Sequence, residues 1–296
     1  MSILIIMRLL RKARKHRKEI IVKIIFFSKE GDCGVTSNMS AISIAGILEF
    51  KMRILTLENH WSQEGIAQYL MYEKRFQMLK EDRVPYLGHG VEESLVMHYA
   101  QCSKKRRTDI MTIEVIQDSL YYMPQNAYSK DVFDYEFYYN VIPKLKRLEK
   151  SYEYVFIDTK NYTMNSRVLL DEADLVVVSL KQNYDEIKSF FTNYSSLTYK
   201  SLFLISNYRP HRNLNINKIK NEFHIPKEHI VAIPHNPLFE NAIYHGKVIN
   251  YMYEHYQCNR IDPNYDFIRD VKKATKMLLH SIEASKKSVG GLVECR

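Results

Sequence analysis

Apolar residues gather along the chain into short runs rich in β-branched and aromatic side chains. These lie at 21–27 (IVKIIFF), 53–57 (RILTL), 119–123 (SLYYM), 154–158 (YVFID), 175–180 (LVVVSL), 201–206 (SLFLIS) and 230–233 (IVAI). Several continue without alternation, the pattern of strands buried on both faces. Between them lie stretches with helical spacing. Residues 37–50 are apolar almost all round, which predicts a deeply buried helix. Residues 134–150 set Tyr138, Val141, Ile142, Leu145 and Leu148 three and four apart, with Lys and Arg opposite. Residues 266–284 do the same with Ile268, Val271, Met277, Leu278 and Ile282. Strands alternating with helices imply βαβ units. The expected fold is therefore α/β, a mostly parallel sheet of seven or eight strands with helices on both faces.

No composition break is long enough to be a linker, so residues 21–285 read as one domain between an arm, 1–20, and a tail, 286–296. The stretch 62–118 is the least regular. It holds the run Lys104, Lys105, Arg106, Arg107, which reads as a solvated turn, with partner binding as the alternative. Across 296 residues, 46% hydrophobic and 26% charged positions exclude wholesale disorder.

The net charge of +9 is unevenly spread. Residues 1–23 hold eight Lys and Arg against one acid, Glu19, which leaves the rest close to neutral. A basic arm on a near-neutral body disfavours a nucleic-acid stripe. The arm opens with the apolar residues Ile3 to Met7 and then turns basic, the reverse of a secretory signal. No run reaches the roughly 20 apolar residues of a membrane span. The expected location is cytoplasmic, with residues 1–20 able to lie on the inner face of an anionic membrane; a solvated terminal helix is the plainer alternative. Cys33, Cys102, Cys258 and Cys295 are far apart, with no zinc-ligand spacing.

The candidate chemistry lies after the first strand. Ser28-Lys29-Glu30-Gly31-Asp32-Cys33-Gly34-Val35-Thr36-Ser37 leads into the buried helix, the strand–loop–helix setting of a phosphate-binding P-loop. Gly34 and Thr36-Ser37 fall where that motif has its glycine and hydroxyls. Lys29 replaces its first glycine, and Val35 its lysine. Alone, the loop is a weak signal.

The wider chain resembles the MinD/ParA family of deviant Walker P-loop ATPases. Their loop, x-G-K-G-G-x-G-K-T-T, aligns with Ser28 to Ser37 without a gap. Tyr154-Val155-Phe156-Ile157-Asp158-Thr159 resembles the family's Walker B strand, and Asp171-Glu172-Ala173-Asp174 with Leu175 to Val178 its "ADxVIIP" strand. Ile205-Ser206-Asn207 resembles the strand whose Asn contacts adenine. Ile233-Pro234-His235-Asn236, followed by Glu240-Asn241-Ala242 and Gly246-Lys247-Val248, resembles the closing segment. Thr56-Leu57-Glu58 stands where the family has D-x-D.

The resemblance implies a nucleotide site at Lys29, Gly31, Asp32, Cys33, Gly34, Val35, Thr36, Ser37, Asn207, Pro234, His235 and Asn236. Mg²⁺ would sit on Thr36 and Asp158, with Asp158 and Glu58 as candidate catalytic carboxylates. The substitutions weaken this site. Val35 and Glu30 fill the positions of the family's two lysines, and Asp32 that of a glycine. Losing one buried charged partner costs about 2–5 kcal/mol, or about 1.5–3.5 decades of affinity. The expectation is a pseudo-ATPase that binds ATP or ADP weakly, acting as a homodimeric scaffold or spatial regulator for pilus, secretion or division machinery. The degenerate loop is closest in character to the TadZ-like branch. The alternative is an active partitioning or division ATPase.

Overall fold

The computed structural model describes residues 21–60, 65–71, 112–124, 133, 152–160 and 164–290. The arm 1–20, the Lys104–Arg107 run, the helix expected over 134–150, Cys102, Cys295 and residues 291–296 lie outside them. Eight strands form one sheet: β1 (Val22–Ser28), β2 (Ile54–Glu58), β3 (Ile113–Ile116), β4 (Leu120–Tyr122), β5 (Tyr154–Lys160), β6 (Leu175–Lys181), β7 (Ser201–Tyr208) and β8 (Ile230–Pro234). Their order is β3-β4-β2-β5-β1-β6-β7-β8. Every neighbouring pair is parallel except the edge pair β3–β4. The seven expected runs are all strands. Sequence reading missed β3, a four-residue edge strand whose residues are mostly half-buried and so carry little apolar signal.

The helices among the described residues are α1 (Val35–Phe50), α2 (Ile66–Leu70), α3 (Met164–Glu172), α4 (Tyr184–Asn193), α5 (Ile216–Glu222), α6 (Pro237–Tyr244), α7 (Val248–His255) and α8 (Tyr265–Gly290). The unbroken apolar strands are explained by two cores, one on each face. Val22, Ile24 and Phe26 of β1 join Phe156, Val177 and Leu204 beneath α1 and α8. Ile25 and Phe27 join Val155, Ile157, Val176 and Phe203 on the opposite face, with Leu169 of α3 and Ile187 and Phe190 of α4. Neighbouring side chains in a strand point to opposite faces, so alternate residues enter different cores.

α1 is buried around most of its surface, as its composition predicts. It stops at Lys51, whose left-handed backbone (φ 53°) lets its own N–H donate to the Ile47 carbonyl and the Met52 N–H to the Gly46 carbonyl. α8 lays Ile268, Val271, Ala274, Leu278 and Ile282 into the same core, against α1 and β8. That settles its amphipathic pattern as sheet packing. α8 also extends to Gly290, past the point where the tail was expected to begin, because residues 286–289 contain no Gly or Pro to stop a helix.

Gly246 joins α6 to α7 with φ 63°, and a Cβ there would overlap the carbonyl oxygens of Gln68 and Met71. Both the left-handed backbone and the close approach require glycine. Gly246→Ala is expected to destabilise the protein by about 2 kcal/mol or more. Gly31→Ala, where a Cβ meets nothing within 4 Å, should stay within about 0.5 kcal/mol. Urea midpoints of the two variants check the contrast.

Candidate functional site

Strand parity builds the site. On the face that carries α1, the strands end at their carboxyl edge in polar residues: Ser28, Glu58, Asp158, Ser179 and Ser206, all buried. Asp158 is the Cα partner of Glu58 on one side and Phe26 on the other. In parallel sheets this edge, where loops meet helix N-termini, is where ligands bind.

α1 is fastened to the edge at two points. Thr36 Oγ1 donates to Asp158 Oδ2 at 2.5 Å, and Asn38 Nδ2 donates to Ser179 Oγ (3.1 Å) and Ser206 Oγ (2.8 Å). All five residues are nearly inaccessible. Sequence reading missed Asn38; its one signal was a polar residue in an otherwise apolar helix.

The loop from Lys29 to Gly34 curls through left-handed backbone at Asp32 (φ 55°) and Gly34 (φ 71°), a geometry that makes anion-binding concavities. Gly34 caps α1 without a side-chain hydrogen bond, so the helix N-terminus faces the loop with its own N–H groups. Ser37 Oγ donates to the Gly34 carbonyl at 3.0 Å. The loop's side chains turn elsewhere. Lys29 Nζ donates to Ser189 Oγ of α4 at 2.6 Å. It also lies 3.8 Å from the Glu30 carboxylate, so it is not held as a stand-in for the missing phosphate lysine. Glu30, Gly31 and Asp32 are exposed, so solvent screens the two carboxylates. Val35 is 5% exposed and belongs to the core under α1.

Cys33 is buried, and its Sγ donates to Glu186 Oε1 at 3.2 Å and to the Gly31 carbonyl at 3.4 Å. Glu186 Oε1 also accepts the Lys181 N–H at 3.0 Å, so one carboxylate ties the loop to the end of β6. Burial pushes the Cys33 thiol up to about 12, and the Glu186 charge adds to that.

On the far side, Asn207 is exposed with φ 50° at the end of β7. Tyr208 pairs with Pro234, and the His235 N–H donates to the Tyr208 carbonyl at 3.2 Å. Asn207, Pro234 and His235 are thereby brought to one end of the sheet. Asn236 is engaged differently. Its Oδ1 caps α6 by accepting the Phe239 N–H (2.8 Å), and its Nδ2 donates to Asn264 Oδ1 (2.9 Å), so both ends serve the fold.

Glu58 is a strut. Its Oε1 accepts the Ile66 N–H at the start of α2 (2.9 Å), and its Oε2 accepts the Tyr122 hydroxyl (3.2 Å). A Cβ on Gly65 would overlap this carboxylate, so glycine there is what lets it reach α2. His60 Nε2 lies 3.9 Å from Glu58 Oε1. Glu58, His60 and Asp158 each offer a ligand atom within 4.8 Å of the others. His60 was not singled out from the sequence; its spacing of two from Glu58 is the only cue.

For the Mg²⁺-nucleotide implied by the family resemblance, the residues fit in part. Asp158 Oδ1 is fully buried without a hydrogen-bond partner, an acceptor suited to a cation beside Thr36. The loop backbone suits phosphate. The missing lysine does not.

Thiol labelling checks the loop geometry. At about pH 8 almost no Cys33 is thiolate, so iodoacetamide should label half-buried Cys258 well before Cys33. Both should label in urea, as read by peptide mass mapping.

No protein-family model and no curated protein matches the chain. Solved structures do. A ParA family ATPase from Chlorobium tepidum superposes with a TM-score of 0.62 at 11% identity, over 87% of this chain and 98% of that one. A Borrelia burgdorferi protein described as a plasmid partition protein, bound to AMPPNP, gives 0.61 at 15% identity, over 88% and 99%. The septum site-determining protein MinD from Pyrococcus horikoshii, complexed with Mg-ADP, gives 0.60 at 12% identity, over 86% and 95%. Identities this low speak for architecture alone, and the architecture agrees across nearly the whole length of each. The chain has the α/β fold of the MinD/ParA-like P-loop ATPases.

Proposed function

We propose that this protein is a pseudo-ATPase of MinD/ParA-like build, a scaffold or spatial regulator in which nucleotide binding is weak and turnover is lost. The observation that carries the reading is Val35, buried in the core where a working loop extends its lysine. The cost of that missing charge is about 2–5 kcal/mol. Glu58 adds to it, because its carboxylate braces α2 and Tyr122.

A partner-presenting role follows from a fold that survives without its fuel. One structure of this fold is a MinC:MinD cell division protein complex from Aquifex aeolicus, in which such a protein is held by a partner. We assign this chain, by the TadZ-like character of its loop, to the positioning of pilus or secretion machinery as a homodimer. It works in the cytoplasm, with residues 1–20 available for the inner membrane face.

One observation favours the second reading, an active partitioning or division switch. Thr36 and Asp158, the pair that would hold Mg²⁺, are intact and hydrogen-bonded.

Calorimetry with Mg-ATP and a phosphate-release assay decide between the two. The wild type should release no phosphate above the level of Asp158→Asn. Val35→Lys should bind Mg-ATP about 1.5–3.5 decades more tightly than the wild type. Val35 is buried, so the variant's melting curve must first show a folded protein. Phosphate release by the wild type at rates typical of these ATPases, lost in Asp158→Asn, would overturn the proposal.

A further inference from the structure

We propose that Glu58, His60 and Asp158 form a binding site for a divalent transition-metal ion, such as Zn²⁺, Co²⁺ or Mn²⁺, that needs no nucleotide. The proposal stands apart from the pseudo-ATPase reading, since it concerns the protein without ATP.

Backbone placement comes first. β2 and β5 run in parallel register with Glu58 opposite Asp158, and the pairing continues one residue further as the Asn59 N–H donates to the Asp158 carbonyl at 2.8 Å. The strand ends at Glu58, and the chain bends at Asn59 and His60. Asn59 reaches Ser166 of α3 on one face (3.3 Å). Glu58 and Asp158 share the face that carries α1, and the bend brings His60 Nε2 to 3.9 Å from Glu58 Oε1. Two carboxylates and an imidazole thereby converge, with ligand atoms within 4.8 Å of one another.

A second observation points to a ligand. Asp158 is fully buried, its Oδ2 takes the Thr36 hydroxyl, and its Oδ1 has no hydrogen-bond partner. Among the described residues Asp158 has no ion pair either. A buried carboxylate oxygen without a donor is costly, and a cation beside Asp158 Oδ1 removes that cost.

Donor chemistry selects the metal. Mg²⁺ prefers six oxygens in a near-ideal octahedron, whereas imidazole suits Zn²⁺, Co²⁺ and their neighbours. Three protein ligands leave a position for water or for a phosphate oxygen. Glu58 is held by Ile66 N–H and Tyr122, and Asp158 by Thr36, so two of the three ligands are already oriented.

The test is a Co²⁺ titration of the EDTA-treated full chain without nucleotide, followed by visible d–d absorption, with Zn²⁺ and Mg²⁺ as competitors. One equivalent of Co²⁺ should bind, displaced by Zn²⁺ and not by equimolar Mg²⁺. His60→Ala should weaken Co²⁺ binding roughly tenfold or more and change the spectrum. His60→Asn, closer in size, covers the case in which the alanine variant fails to fold. The proposal is overturned if the wild type binds no Co²⁺, the result expected if protonated His60 simply pairs with Glu58. It is equally overturned if a folded His60 variant keeps the wild-type spectrum and affinity, which would place the metal elsewhere.

Discussion

The hydrogen bond from Thr36 to Asp158 joins the first turn of α1 to the central strand β5, inside a region that water does not reach. A buried carboxylate is tolerated only with partners, and Thr36 is the partner the fold supplies. With Asn38 on Ser179 and Ser206, this contact sets where α1 begins and so where the Lys29–Gly34 loop must curl. The curvature of the loop, the direction of the helix N-terminus and the position of the polar edge all depend on that attachment.

This arrangement separates scaffold from chemistry. The backbone features suited to phosphate, namely left-handed Asp32 and Gly34 and a helix start with no side-chain cap, are retained. The side chains that would supply charge are not. Val35 is committed to the core, Lys29 to Ser189, Cys33 to Glu186, and Glu58 to Ile66 and Tyr122. Each of these contacts supports the fold locally. Backbone geometry and side-chain charge rest on different interactions, so the loop keeps its curvature whatever its side chains contact.

The sheet was readable from the chain because burial on both faces demands continuous apolar runs, and seven of them stood out. The eighth strand, Ile113–Ile116, sits half-buried at the edge, where that demand relaxes. The short helices α2, α6 and α7 gave too few turns for a helical period to emerge. The loop was legible because Gly34, Thr36 and Ser37 follow a strand and precede a buried helix. Asn236 shows the opposite case: its place in a family-like segment suggested a ligand contact, and its side chain is a helix cap. A cap and a ligand contact use the same donors and acceptors, so composition could not separate them.

The amino-acid sequence by itself determined the class of fold, the strand–loop–helix position of the candidate site and the aliphatic Val35 at the start of its helix, since hydrophobic periodicity and residue identity are local properties. Only the tertiary structure decided that His60 meets Glu58 and Asp158, that Asn38 anchors α1, and that Lys29 turns to α4. Those outcomes follow from strand register and from which face each side chain takes. Both are fixed by packing between segments more than 100 residues apart, as Asp158 is from Thr36.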